Sequence, residues 1–111
     1  MICFKKIWKN APKNKKCKRN IKEVKFEEIN LKDFIILDVR SRREFKETHL
    51  NGAINIPLPE IRRSVERYVR NKQSKILVCC EYGIRSKQAA GILENMGYMQ
   101  VYNLKGGLEN I

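Results

Sequence analysis

Two continuous apolar runs limit what this 111-residue chain can fold into. They are "DFIILDV" at residues 33–39 and "SKILVCC" at residues 74–80. A strand with one face in water alternates apolar and polar residues, whereas these runs are apolar nearly throughout. Such runs are typical of strands buried on both faces of a parallel sheet, which needs covering elements on each side.

The other segments have the features of helices and shorter strands. Residues 41–49 begin with Ser41 and carry Glu44 three positions later, which is the spacing of a capping box. Apolar residues recur at near-helical spacing in residues 58–71 and along one face of residues 86–96. Shorter strands are predicted within residues 23–29, 50–58 and 99–104. The pattern predicts an α/β domain of three layers, α/β/α, around a mostly parallel sheet of about five strands.

Charge divides the chain into two parts. The net charge is +12, and residues 1–20 hold eight lysines and arginines with no acidic residue. We expect residues 1–20 to form a basic, mobile N-terminal arm and residues 21–111 to form the folded domain. Such an arm can make weak, non-specific contacts with nucleic acid or an anionic membrane.

The sequence has no pattern typical of a membrane span, a secretory signal or a metal site. No apolar stretch approaches the ~20 residues of a transmembrane helix, and the first residues lack a sustained apolar region. The four cysteines, Cys3, Cys17, Cys79 and Cys80, contain no C-x2-C pair of the kind that binds zinc. We therefore expect a cytoplasmic protein with free thiols.

Cys80 marks the candidate site, because it ends the second apolar run and a short loop then leads into a helix that is expected to begin near Arg85 and Ser86. Ligands of open parallel sheets bind beyond the carboxyl ends of the strands. The N–H groups and positive partial charge of a helix start stabilise a thiolate and hold an anion. Gly83 allows the loop to curl inward, and Arg85 can clamp an oxyanion with two parallel hydrogen bonds.

Three blocks of the sequence resemble single-domain rhodaneses, which are sulfurtransferases. The blocks are "LDVRSRREFKETHLNGAINIP" at residues 37–57, "ILVCCEYGIRSKQAA" at residues 76–90 and "GYMQVYNLKGGLENI" at residues 97–111. The resemblance implies a rhodanese-like fold in which Cys80 is the nucleophile and carries a persulfide. The substrate-binding loop would consist of Glu81, Tyr82, Gly83, Ile84, Arg85 and Ser86.

The same resemblance implies a reaction without a metal or organic cofactor. Sulfane sulfur would pass from thiosulfate, polysulfide or a protein persulfide to a thiol or cyanide, with a partner protein as one possible source or recipient. Glu81 opposes an anionic donor and Arg85 favours it, so the sequence leaves the donor open. A part for Cys79, Cys3 or Cys17 in sulfur relay is also left open.

Two alternatives remain at this point. Counted from Cys79, the loop has the C-x5-R-S spacing of protein tyrosine phosphatases, and some phosphatases and arsenate reductases resemble rhodaneses in fold. Successive strand residues point to opposite faces, which favours Cys79 as a core residue instead. The second alternative is a rhodanese-like binding or sulfur-carrier module without turnover. In either case Asp38, Arg40 and the single histidine, His49, are expected to be structural.

Overall fold

The computed structural model describes residues 21–111, so the predicted arm, with Cys3 and Cys17, lies outside the described residues. The strands and helices are β1 (Lys22–Val24), β2 (Ile35–Asp38), α1 (Arg42–Glu47), β3 (Ile54–Asn55), α2 (Ile61–Tyr68), β4 (Lys75–Cys79), α3 (Ile84–Asn95) and β5 (Gln100–Leu104). Short 3-10 turns lie at Phe26–Glu28, Leu31–Asp33, Leu58–Glu60 and Leu108–Asn110. No helix in this part of the chain has the length and apolar character needed to cross a membrane.

The five strands form one sheet in the order β1-β5-β4-β2-β3, and every neighbouring pair is parallel. The two long apolar runs supply β2 and β4, which pair with each other near the centre of the sheet. Since both strands are flanked by other strands and covered on both faces, they carry no polar face. The prediction of a five-stranded, mostly parallel sheet is confirmed.

Two apolar clusters cover the sheet, one on each face. The larger cluster packs α2 and α3 onto the sheet through residues such as Val65, Val78 and Leu93. The smaller cluster contains Leu77 and Cys79 and is closed mainly by residues of the 3-10 turns and neighbouring loops. The three-layer arrangement is therefore confirmed, although the second outer layer consists largely of single turns.

The predicted helix at residues 58–71 is shorter in the structure. A 3-10 turn occupies Leu58–Glu60, and α2 then ends at Tyr68. Val69 leaves the helical conformation with φ −132° and ψ 89°, while its side chain stays buried. Its carbonyl oxygen accepts a hydrogen bond from the Tyr98 hydroxyl, so a tertiary contact replaces the next turn of helix.

A buried ion pair fixes the carboxyl end of β2. The Arg40 guanidinium donates to both carboxylate oxygens of Asp38, with Nε–Oδ1 3.0 Å and Nη2–Oδ2 2.8 Å, and both residues are almost fully buried. Arg40 Nη2 also donates to the Thr48 carbonyl at 2.6 Å. The Asn55 amide then donates to the backbone carbonyls of Asp38 and Arg40. These contacts join β2, the loop after α1 and β3 at one edge of the sheet.

Glu44 has two roles in α1. Its N–H donates to Ser41 Oγ and its carboxylate accepts from the Ser41 N–H at 3.0 Å, which confirms the capping box. The same carboxylate accepts two parallel hydrogen bonds from Arg85, with Nη1–Oε1 2.9 Å and Nη2–Oε2 3.0 Å. The Arg85 guanidinium lowers the pKa of Glu44 to about 2. One carboxylate thus caps α1 and ties it to α3.

We expect the Glu44→Gln variant to lose about 1 kcal/mol of unfolding free energy at pH 7, because the pair is about one-third exposed and solvent screens it. The pKa of Glu44 is about 2 in the folded protein against an ordinary 4.5. The unfolded chain is therefore protonated first as the pH falls, and the stabilisation is lost between about pH 4.5 and pH 2. Urea unfolding across this pH range should show that the difference in unfolding free energy between wild type and variant falls toward zero.

The matched control is Glu47→Gln, at the exposed end of the same helix. Glu47 has no ion-pair partner within residues 21–111. This control should stay within a few tenths of a kcal/mol of wild type throughout. A difference for Glu44→Gln that persists unchanged at pH 2 would contradict the assignment.

Candidate active site

The Cys80 sulfur lies in a ring of hydrogen-bond donors just beyond the end of β4. It accepts the backbone N–H of Gly83 at 3.1 Å and that of Ser86 at 3.2 Å. The Ser86 hydroxyl lies 3.3 Å from the same sulfur, where it can accept from a thiol or donate to a thiolate. These donors, at the start of α3, favour negative charge on sulfur.

Gly83 allows the loop to form this ring. Its φ is +93°, a left-handed conformation that directs its N–H toward the sulfur and precedes α3 at Ile84. The helix therefore begins one residue earlier than the sequence indicated. On the other side of the loop, the Asn103 amide of β5 lies 3.4 Å from the Gly83 carbonyl oxygen and 3.2 Å from both carboxylate oxygens of Glu23.

The last turn, the 3-10 turn Leu108–Asn110, supports the loop through backbone hydrogen bonds. The Leu108 N–H donates to the Cys80 carbonyl, and the Glu109 N–H donates to the Glu81 carbonyl, each at 2.8 Å. A Cβ at Gly107 would lie 2.4 Å from the Glu81 carbonyl oxygen, so only glycine permits this approach. Sequence reasoning missed this supporting role, although the paired glycines were a visible signal for it.

The two charged side chains of the loop already have partners. Glu81 Oε1 lies 3.5 Å from Arg40 Nη1, and its side chain is 31% exposed. Both terminal nitrogens of Arg85 donate to Glu44, so the expected clamp on a substrate oxyanion is not what the structure shows. Arg85 is balanced by Glu44, whereas Arg40 is shared between Asp38 and Glu81, so the Glu81 charge is only partly balanced. A substrate contact by Arg85 remains a prediction.

The structure brings only part of the predicted loop to the sulfur. Gly83 and Ser86 contact it through their backbone N–H groups, whereas Glu81 contributes a carbonyl to the last turn. The side chains of Tyr82 and Ile84 point to solvent and are 62% and 71% exposed. Backbone N–H groups and the Ser86 hydroxyl are therefore the polar groups that contact the Cys80 sulfur, and the Tyr82 and Ile84 side chains lie outside them.

Cys79 is in a different environment from its neighbour. It is the last residue of β4, it is fully buried, and it packs in the smaller cluster on the opposite face from Cys80. Burial raises the pKa of the Cys79 thiol far above its ordinary value. A C-x5-R loop would need the strand to end before Cys79, and it does not.

His49 makes contacts of a structural kind. Its ring stacks on Phe45 with the centroids 3.7 Å apart, and Nδ1 lies 2.6 Å from the Phe45 carbonyl oxygen. Within residues 21–111, no group of three or more His, Cys, Asp or Glu side chains is placed to hold a metal ion.

Comparisons with known proteins agree with this arrangement. Thiosulfate sulfurtransferase PspE of Escherichia coli (strain K12) is 41% identical over 75 residues, which cover 68% of this chain and 71% of that protein. Thiosulfate sulfurtransferase GlpE of Coxiella burnetii (strain RSA 493 / Nine Mile phase I) is 31% identical over 84 residues, or 76% of this chain and 77% of that protein. A solved structure of a rhodanese with anions from E. coli is 40% identical with a TM-score of 0.65, and the match covers 69% of this chain and 89% of that one.

The family model for the rhodanese-like domain matches residues 18–111, which include the sheet, all the described helices and the Cys80 loop. On this match and on the fold, the chain belongs to the rhodanese-like domain family.

Proposed function

We propose that this chain is a sulfurtransferase that carries sulfane sulfur as a persulfide on Cys80. The observation that supports this most directly is the Cys80 sulfur with two backbone N–H donors at the start of α3. The similarity to two thiosulfate sulfurtransferases supports the same class of reaction.

In the first step, the Cys80 thiolate attacks the outer sulfur of thiosulfate. The bond between the two thiosulfate sulfurs breaks, and sulfite leaves with its electron pair. Cys80 then carries a persulfide anion, and the total charge is unchanged. The Gly83 and Ser86 N–H groups donate to the Cys80 sulfur and stabilise its thiolate, and the step needs no general base once the thiol is ionised.

In the second step, an acceptor nucleophile attacks the outer sulfur of the persulfide. The sulfur–sulfur bond breaks, and its electron pair returns to the Cys80 sulfur as a thiolate. Cyanide would give thiocyanate, and a thiol would give a new persulfide. The Cys80 thiolate that remains accepts hydrogen bonds from the same two N–H groups. It can then attack another molecule of the sulfur donor.

A small anionic donor is compatible with the charges around the loop. The carboxylate of Glu81 lies near Arg40, and backbone N–H groups face the sulfur. The related E. coli structure is described as a rhodanese with anions, which supports an anionic ligand here. Thiosulfate is therefore our first choice of donor, with polysulfide and protein persulfides as further donors. The reaction needs a reduced Cys80, and we propose the cytoplasm as its compartment.

Intact-protein mass spectrometry tests which thiol carries the sulfur. Reduced wild type, Cys79→Ser and Cys80→Ser would each be treated with thiosulfate or polysulfide and then with cyanide. We expect wild type and Cys79→Ser to gain one sulfur that cyanide removes, because, of the two cysteines within residues 21–111, only Cys80 has N–H groups that donate to its sulfur. Loading of Cys80→Ser but not of Cys79→Ser would reverse the assignment. If no form gains sulfur, the chain is a binding module without turnover.

Gly83→Ala tests the backbone donors. Alanine at φ +93° is strained by about 1–2 kcal/mol, and relief of this strain would turn the N–H away from the sulfur. We expect kcat/KM for thiosulfate and cyanide to fall at least about tenfold, as expected when one preorganised donor is displaced.

The control for this variant is Gly52→Ala. Gly52 has a similar φ of +86° and open space around it, and it precedes β3, so it lies at the opposite edge of the parallel sheet from the loop. Gly83→Ala should lose more stability in urea unfolding than Gly52→Ala, since its Cβ would also lie 3.3 Å from the Gly106 backbone nitrogen, and only Gly83→Ala should lose activity. Equal activity in the two variants would show that the Gly83 N–H does not contribute.

A further inference from the structure

A groove with a largely apolar lining lies beside the active-site loop. It runs between the 3-10 turn Leu58–Glu60 and helix α3 and has a volume of about 890 Å³. Leu58, Pro59, Ile84 and Ile92 supply its apolar surface, and Arg62 is among its polar lining residues. The proposed reaction of small donors does not use this groove.

The groove is continuous with the outer surface of the loop. Ile84 and Lys87 line both the groove and a second depression of about 450 Å³ that also contains Tyr82 and Gly83. Tyr82 and Ile84 are among the few large apolar side chains that are more than half exposed. Two such side chains on one short loop are typical of a surface that a protein partner covers.

The charge beside the groove is positive and largely unpaired. Arg62 and Lys87 line the groove, and Lys87 approaches the Glu23 carboxylate only to 3.9 Å. Three further arginines on α2 or just after it, Arg63, Arg67 and Arg70, are exposed but do not line the groove. Within residues 21–111, none of the four arginines takes part in an ion pair. A complementary partner must therefore be acidic, and the eight basic residues of segment 1–20 make that segment a poor match.

We propose that this groove docks an acidic protein segment whose thiol is the acceptor of the Cys80 sulfur. This inference rests on the proposed function. The partner's thiolate attacks the outer sulfur of the Cys80 persulfide, the sulfur–sulfur bond breaks, and the electron pair returns to Cys80. The partner leaves as a persulfide, its thiol proton goes to solvent, and no oxidant or reductant is needed.

Two synthetic peptides test the chemistry of the partner. One carries a single cysteine between leucines and glutamates, and the other has lysines in place of the glutamates. We expect wild-type protein loaded with sulfur to transfer it to the acidic peptide with a kcat/KM at least about tenfold higher, and we expect added salt to reduce the difference. Equal transfer to the two peptides would overturn the proposal.

Arg62→Glu tests the place of docking. Arg62 is exposed and is the second residue of α2, so a glutamate there suits the helix start. We expect kcat/KM for the acidic peptide to fall about tenfold and transfer to cyanide to stay unchanged. The matched control is Arg43→Glu, which makes the same charge change at the second residue of α1, and it should transfer sulfur to both acceptors as wild type does.

Binding without chemistry separates this proposal from the proposed function. Fluorescence anisotropy would follow the acidic peptide with serine in place of its cysteine, added to wild type, Arg62→Glu and Arg43→Glu. Weaker binding to Arg62→Glu alone supports the docking site, even if no sulfur were ever loaded on Cys80. Equal binding to all three proteins overturns the docking site, while sulfur transfer to cyanide would leave the proposed function intact.

Discussion

The central strand β4 is buried on both faces, and the rest of the site depends on this constraint. Alternation along the strand sends Val78 and Cys80 to the face covered by α2 and α3, and it sends Leu77 and Cys79 to the other face. Two adjacent cysteines therefore differ in environment because they differ in direction. Only the sulfur of Cys80 lies on the side where α3 begins, and only there do free N–H groups meet it.

The charged residues at this edge of the sheet mainly hold backbone in place. Arg40 donates hydrogen bonds to Asp38 and to the Thr48 carbonyl, and Arg85 donates hydrogen bonds to Glu44. Arg40 is shared between Asp38 and Glu81, and the Cys80 sulfur itself contacts the Ser86 hydroxyl and the N–H dipoles of Gly83 and Ser86. Such dipoles are fixed by the fold and need no reorganisation when sulfur is gained or lost.

Local sequence features predicted most of the fold. The unbroken apolar runs predicted β2 and β4, and the capping box at Ser41 and Glu44 predicted the start of α1. The contacts that sequence reasoning missed join residues far apart in the chain. Arg85 and Glu44 are 41 positions apart, and the last turn meets the loop through Gly107, whose role depends on a close backbone approach. No local spacing distinguishes an arginine that binds substrate from one that ties two helices together.

The burial of Cys80 separates the two halves of the proposed reaction. The residue is only 1% exposed, so an acceptor protein cannot reach its sulfur directly, and the proposed function needs a donor small enough to enter the loop. Once loaded, the reactive atom is the outer sulfur, about 2 Å farther along the new bond. The groups that an acceptor then meets are the exposed side chains of Tyr82 and Ile84, and beyond them the basic groove beside α3. Under the proposed function, the N–H groups around the Cys80 sulfur would serve the reaction with small sulfane donors. The surface around the loop would determine which acceptor receives the sulfur.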